Sequence, residues 1–411
     1  TATVGVFAYH RPALTTYSFV SSASTRDGIT AAIVETAPEG LDNPQIRNIA
    51  EVLIEMISGA ENTIDMEVYT IYASDSSPLS DIYSALFSAA SRGVRIRILI
   101  DNDTYRDLRE SNRSLFDRLE SNENIRLKTS EWPMHSKVVI VDNRKALVSS
   151  ANLSWSAMTR NREIAVLVQG EEFCRALDAI FETGWSGSES SEFENGWGIE
   201  WIKPVATPVG VPSWVPQTLE VVVSLIDSAT KTIHAPIYAY SGYPYELRYA
   251  LENTARRGIE IRMIVDDEYS DLMDFPALAE LGSYSAARIK AADLPRATYH
   301  SKSVVVDGKR GYVGSANWSN ASMKERREIG VYFEDENLAS ALEQIFQTDW
   351  NSNYVRWVVK PSDWFLLTLW FTVFFVTLGC GLALSWFSSR KRRKHRRRWI
   401  AELWASSRAE M

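Results

Sequence analysis

Two of the five histidines in this 411-residue chain open one pattern, His-x-Lys-x-x-x-x-Asp. It runs from His135 through Lys137 to Asp142, and again from His300 through Lys302 to Asp307. On an extended chain, residues two apart project from the same side, so an imidazole and an ammonium converge on one point. That pairing suits a phosphate ester. The ammonium offsets the anionic charge that repels a nucleophile, and an imidazole titrating near neutrality can attack phosphorus or carry a proton. Ten residues beyond each Asp stand Asn152 and Asn317, and eleven further on stand Glu163 and Glu328. The amides, with the hydroxyls of Ser150 and Ser315, are expected to donate to phosphoryl oxygens, and each Glu to hold a histidine Nδ1–H. Hairpin folding is expected to bring each Asn and Glu beside the histidine of its own copy. Asp142 and Asp307 are expected to bond turn backbone rather than substrate.

No cofactor or protein-held metal is expected. The remaining histidines, His10, His234 and His395, lack ligand spacing, and His234 reads as a core residue. Two cysteines, Cys174 and Cys380, cannot build a disulfide framework or a four-ligand zinc site.

The elements that must position these residues occur twice. Residues 91–101, SRGVRIRILID, return at 256–266 as RRGIEIRMIVD, and an offset of 165 links Gly93 to Gly258, His135 to His300, Glu163 to Glu328 and Trp185 to Trp350. Upstream, Tyr69 and Tyr238 are 169 apart, so the second copy is shorter by four there. In the first copy, periodicity predicts helices over 48–58, 79–92, 105–119 and 172–183, with Ala85, Leu86 and Ala89 inward. Strands are predicted over 63–69, 94–100, 137–141, 145–149 and 163–168, with Asp142-Asn143 as a hairpin turn matched by Asp307-Gly308. The fold class is α/β, a duplicated unit with a mixed sheet. Asp101 and Asp266, at repeated strand ends, read either as helix caps or as cleft residues. Trp155 and Trp318 read as packing residues.

The doubled signature, with Gly314-Ser315-Ala316-Asn317 after the second copy and Ser149-Ser150-Ala151-Asn152 after the first, resembles the phospholipase D superfamily. The resemblance covers roughly residues 45–185 and 215–350 and implies a sandwich with pseudo-twofold symmetry whose active site forms within one chain. It implies phosphodiester cleavage without metal through a covalent phosphohistidine, with Lys137 and Lys302 on the phosphate. By the same analogy His135 is preferred as nucleophile and His300 as acid. The missing Gly in the first copy bears on how closely backbone approaches the ligand.

Charge and hydropathy locate the outer segments. Residues 388–411 carry nine Lys and Arg against two Glu, a local +7, which leaves −15 on residues 1–387 of the overall −8. The main body therefore lacks a basic field that gathers nucleic acid non-specifically. Residues 364–387 hold 24 residues without a charge, about 36 Å as a helix and enough to span a bilayer. Trp357, Trp364 and Trp386 flank this run and a basic cluster at 390–394 follows it, so it is expected to be a transmembrane helix. The tail at 388–411 is then cytoplasmic and the catalytic body extracytoplasmic, preceded by a signal peptide already removed. Residues 1–44 read as an arm of no assigned role, 45–185 as repeat one, 186–217 as a Ser-, Gly- and Pro-rich linker, 218–352 as repeat two, and 353–363 as a juxtamembrane segment. The favoured function is a membrane-anchored phosphodiesterase or phosphatidyltransferase acting on phospholipid. An exported nuclease is the alternative, and a binding module with a decayed site the second alternative.

Overall fold

Alternation of β-branched runs with amphipathic helices builds two mixed sheets, seen in a computed structural model that describes residues 22–189, 191–193, 196–269 and 275–358. The first half runs β1 (Ala23–Arg26), β2 (Ile29–Thr36), β3 (Arg47–Asn48), α1 (Ile49–Ser58), β4 (Thr63–Val68), α2 (Leu79–Ser91), β5 (Arg95–Ile100), α3 (Asn102–Leu108) and α4 (Arg113–Glu120). It continues with β6 (Ile125–Thr129), β7 (Val138–Val141), β8 (Lys145–Ser149), α5 (Trp155–Thr159), β9 (Glu163–Gln169) and α6 (Glu171–Trp185). The second half runs β10 (Ile202–Ala206), α7 (Thr218–Asp227), β11 (Thr232–Ile237), α8 (Tyr245–Arg256), β12 (Glu260–Asp266), α9 (Phe275–Gly282) and β13 (Ala287–Ala292). It closes with β14 (Ser303–Val306), β15 (Arg310–Gly314), β16 (Ile329–Glu334), α10 (Glu336–Trp350) and β17 (Val355–Trp357).

The strand orders are β1-β2-β9-β8-β7-β4-β5-β6, with β3 beside β2, and β10-β16-β15-β14-β11-β12-β13-β17. In each sheet three strands run parallel (β4, β5, β6 and β11, β12, β13), and the hairpin strands join antiparallel. One core joins the two sheets. Val138, Ile140 and Val148 of the first pack with Val313, Ile329 and Val331 of the second, and with Leu177 of α6 and Leu342 of α10. Separate clusters cover the outer face of the first sheet with α1 and α2 and that of the second with α7 and α8.

Both signature aspartates are used structurally. Asp142 and Asn143 have φ of 51° and 52°, and Asp307 and Gly308 have 54° and 64°, as tight hairpin turns require. Asp142 then accepts backbone N–H groups of Glu61, Asn62 and Thr63 at 2.7–2.9 Å, and Asp307 accepts those of Thr230, Lys231 and Thr232. Each carboxylate thereby pins the start of the strand beside its hairpin. Those amides hold both carboxyls below the ordinary range against the opposing effect of burial.

Several expected boundaries change. The helix expected over 105–119 is two helices, because the Asn112 side chain accepts the Ala73 N–H at 2.7 Å and donates to the Leu108 carbonyl at 3.0 Å, ending α3. Strands β6 and β13, which carry charge at alternate positions, lie where no strand is predicted. Part of the expected linker is the edge strand β10, paired only with β16. Its Pro204 sits opposite Val331, where the missing N–H costs no ladder bond. Part of the expected N-terminal arm is the β1–β2 hairpin, turned at Asp27-Gly28 and paired to β9. In the expected juxtamembrane segment, Val355–Trp357 is strand β17, and the Trp357 ring meets Trp350 at 5.8 Å. The expected span at 364–387 and basic tail at 388–411 lie outside the described residues. Among the described residues no helix is long and apolar enough to cross a membrane.

A fully buried Arg162 ties the halves together. Its guanidinium donates to Glu35 at 2.6 Å, to Asp349 at 2.5 Å and to the Leu41 carbonyl at 2.9 Å. Arg162→Leu leaves two buried carboxylates without their cation and is expected to cost about 3–5 kcal/mol. Arg113→Ala, which breaks an exposed pair with Glu110, is expected to leave the denaturant midpoint unchanged. Urea unfolding of the two variants with equal midpoints would refute the contrast.

Candidate active site

The two signature segments lie in extended chain just before β7 and β14, and each zips against the other repeat. Met134 forms a parallel bridge with Arg327, and Tyr299 forms one with Arg162. The His135 N–H donates to the Arg327 carbonyl at 2.8 Å, and the His300 N–H to the Arg162 carbonyl at 3.0 Å. The glutamates follow those arginines, so the pairing crosses the seam. His135 Nδ1 lies 3.1 Å from both carboxylate oxygens of Glu328, and His300 Nδ1 lies 2.9 and 3.0 Å from those of Glu163. The expected same-copy pairing is therefore corrected. Within one sheet β8 separates β7 from β9, a gap of two strand spacings or about 9–10 Å, whereas the other repeat's Glu lies directly across the seam.

Further groups hold this arrangement. Asp101 caps α3 at the Thr104 N–H (3.0 Å) and also accepts the Met134 N–H (2.9 Å), while Asp266 accepts the Glu268 and Tyr299 N–H groups at 3.1 and 2.7 Å. Each carboxyl thus fixes the residue before a site histidine. Ser150 and Ser315 are corrected as well. The Ser150 hydroxyl donates to Glu163 at 2.5 Å and accepts the Ile164 N–H, and Ser315 donates to the Ile329 carbonyl and accepts its N–H. Both hydroxyls are fully buried and committed to the glutamate strands, which leaves none for a phosphate. Lys137 Nζ donates to the His135 carbonyl and Lys302 Nζ to the His300 carbonyl, and an ammonium keeps two further donors. Asn152 and Asn317 lie half-buried in the loops after β8 and β15, each with an amide oxygen that meets no partner. Trp318 is fully buried, and Trp155 is 38% exposed.

Two tyrosines were visible in the sequence only as repeat markers. Tyr69 meets the His135 ring edge-on at 4.5 Å and lies 5.1 Å from Lys137 Nζ, and Tyr238 meets His300 at 4.7 Å and lies 4.6 Å from Lys302 Nζ. Their recurrence at the end of the first strand of each copy was the available signal. The Gly of the second motif has a packing reason. A Cβ on Gly314 would stand 2.3 Å from the Tyr312 hydroxyl and 2.8 Å from the Gly330 backbone, whereas the first copy has Leu147, Ser149 and Ala165 at these places. The glycine accommodates Tyr312 rather than a ligand.

Burial sets the protonation states. It pushes the His135 imidazole down to about 4 and the Lys137 ammonium down to about 7, and it lowers His300 and Lys302 too. Burial also raises the two carboxyls, but the imidazole and ammonium facing each outweigh it and hold Glu163 and Glu328 below the ordinary range. The resting site therefore has ionised carboxylates accepting Nδ1–H from neutral imidazoles, so each Nε2 carries a lone pair. Two imidazoles and two ammonium groups around one seam can bind an anion, attack it and move a proton.

A duplicated α/β sandwich with a paired His–Lys centre on its pseudo-twofold seam defines a class, and comparison with known proteins identifies it. The family described as "Cardiolipin synthase, PLD-like domain" matches at residues 53–185 and 222–350. The chain belongs to the phospholipase D superfamily. It is 24% identical over 383 residues to phospholipase D Z of Dictyostelium discoideum, covering 78% of this chain and 89% of that one. It is 22% identical to the 5′-3′ exonuclease PLD3 of Bos taurus, covering 82% of each. A solved phosphatidylserine synthase of Haemophilus influenzae shares the fold with a TM-score of 0.56 at 14% identity, over 75% of this chain and 84% of that chain.

The crossed geometry has a direct spectroscopic consequence. A carboxylate raises the pKa of the imidazole it touches, so Glu163→Gln is expected to lower the pKa of His300 and leave that of His135 in place, with Glu328→Gln doing the reverse. Imidazole NMR titrations in which Glu163→Gln moves His135 instead would contradict the pairing.

Proposed function

We propose that the chain is a phosphodiesterase working through a covalent phosphohistidine, with phospholipid as its favoured substrate. The observation that carries this reading is the crossed pair of buried His–Glu contacts, each beside an ammonium. In this mechanism His135 Nε2 attacks phosphorus while Glu328 accepts its Nδ1–H and stabilises the cationic ring that forms. Lys137 and Lys302, with the amides of Asn152 and Asn317, offset charge on the non-bridging oxygens. His300 protonates the leaving oxygen. It then takes a proton from water or an acceptor alcohol, which opens the phosphohistidine P–N bond and returns His135 to its neutral form.

Support for lipid comes from the −15 charge on residues 1–387, which disfavours a polyanion, and from similarity to phospholipase D Z. In this reading the apolar run at 364–387 anchors the chain in a membrane, with the catalytic body extracytoplasmic and the basic tail cytoplasmic. Tethering would raise the local concentration of substrate. Nuclease activity is the second reading. Similarity to 5′-3′ exonucleases over 82% of the chain favours it, as do exposed Tyr72, Tyr243, Tyr245 and Tyr249, since aromatic rings stack on bases.

The full chain in detergent and chelator, given labelled phospholipid and 5′-labelled single-stranded DNA in separate reactions, is expected to release headgroup only. Release of nucleotides alone would transfer the assignment to the second reading. His135→Ala and His300→Ala are each expected to lower kcat by at least about a thousandfold, and full activity in either would remove the two-histidine mechanism.

The pH dependence follows from the lowered imidazoles. As pH rises, kcat/KM rises when the attacking ring loses its proton and falls when the donating ring loses its own. With His135 at about 4 and His300 below 6.5, the maximum is expected between these values. A maximum above about pH 8 would contradict the assignment.

A further inference from the structure

The pseudo-twofold axis is broken at the rim of the site. Residues 324–327, Lys-Glu-Arg-Arg, lead into Glu328 and carry four consecutive charges. Lys324 pairs with Glu246 at 2.8 Å, Glu325 accepts the Asn320 amide at 2.7 Å, and Arg327 pairs with Glu67 at 2.6 Å. Among the described residues, only the guanidinium of Arg326 has neither an ion-pair nor a hydrogen-bond partner in this run. Its backbone is nevertheless held at both ends. The N–H donates to the Ala321 carbonyl at 3.0 Å, and the carbonyl accepts the Thr207 hydroxyl at 2.5 Å. The side chain is half-buried, and its charge acts on Tyr69 and Lys137, the two groups that flank His135. In the first repeat the equivalent residue is Asn161, and its amide is bonded through both its oxygen and its nitrogen. The oxygen accepts the Thr298 N–H at 3.1 Å, and the nitrogen donates to Glu163 at 3.2 Å. At this position the His300 side thus carries a neutral amide, and the guanidinium of the preceding Arg160 lies over the Trp155 ring at 5.2 Å. The His135 side ends in an unpartnered cation.

We propose that Arg326 holds a second anionic group of the substrate, a carboxylate or phosphate beside the scissile phosphodiester on the Lys137 side. A half-buried guanidinium is partly desolvated and presents a fork that matches such oxyanions in two-point contact. Lys137 and Lys302 already flank the reacting phosphate. A third cation displaced to one side therefore selects and orients a neighbouring charge. The inference rests on the phosphodiester reading of the same site and adds a substrate polarity to it. Either an acidic lipid headgroup or a nucleotide terminus supplies the required chemistry.

Two ligand pairs separate these sources by calorimetry on the full chain in detergent. O-phospho-L-serine differs from O-phosphoethanolamine by a carboxylate, and thymidine 3′,5′-bisphosphate differs from thymidine 3′-monophosphate by a phosphate. The member with the extra anion is expected to bind about tenfold more tightly in at least one pair, and the pair that shows this names the source. Arg326→Gln is expected to bring that ratio close to one, and Arg326→Lys to restore part of it. No preference in either pair, including no binding at all, would overturn the proposal, as would a preference that survives Arg326→Gln. Equal weakening of both members of a pair would also overturn it, since that outcome puts the guanidinium on the reacting phosphate itself. A retained preference in a protein that cleaves no phosphodiester would instead remove the enzymatic reading and leave the anion site standing.

Discussion

Two carboxylates with no exposed surface can stay ionised only if a cation or hydrogen-bond donor meets them, and here each meets an imidazole from the other repeat. Glu163 faces His300, and Glu328 faces His135, both at about hydrogen-bond length. Within its own repeat Glu163 meets only the neutral donors Ser150 and Asn161, so the imidazole that faces its charge comes from the other half. The backbone bonds from His135 to Arg327 and from His300 to Arg162 lock the register in which the crossing occurs. Interface and reaction centre therefore share these atoms. A shift along the seam that weakened the packing would also release the rings from the tautomer the chemistry requires.

The symmetry is strict where atoms would react and looser in the charges that surround them. The histidines, lysines, glutamates and tyrosines match copy for copy, but the arginines before the glutamates are neutralised differently. Arg162 uses Glu35 and Asp349, whereas Arg327 uses Glu67, which also accepts the Ser136 hydroxyl. At the place equivalent to Asp349 the first copy has Gly184, where a Cβ would stand 3.3 Å from the Arg327 guanidinium carbon. On the face toward α6 and α10, Asp65 pairs with Arg97, and the corresponding His234 instead bonds Glu343 and stacks on Phe346. Each half solved its burial problem separately around a shared centre. That freedom allows one rim to keep an uncommitted arginine while the other ends in a satisfied amide.

What could be read from the sequence was whatever depends on near neighbours. Hairpin turns at Asp142-Asn143 and Asp307-Gly308, their flanking strands and the His-x-Lys pairs are all set by residues a few positions apart. The crossed pairing joins residues 193 and 137 positions apart, and no spacing rule distinguishes it from pairing within a copy. The serines were misassigned because a hydroxyl's partner depends on what is buried beside it, and here a strand N–H and a glutamate claimed it first. Pro204 read as a linker signal because proline is excluded from central strands, and the sequence does not say that its strand lies at an edge.

The lowered imidazoles and ammonium groups of the centre give it a direction of response to charge. With both imidazoles neutral, the two ammonium groups are opposed by two carboxylates, and burial makes those ammonium groups reluctant to stay charged. A phosphodiester anion entering between them reverses that balance. Each ammonium gains an opposite charge in a place where water screens little, so its proton is held more firmly, and the same field raises the imidazole that must donate. Binding above neutral pH then takes up protons, and the species able to protonate a leaving oxygen is formed in greater amount when a phosphate is present. In the proposed mechanism, a centre built this way rests in an uncharged-ring form and gains its acid when the substrate's charge enters.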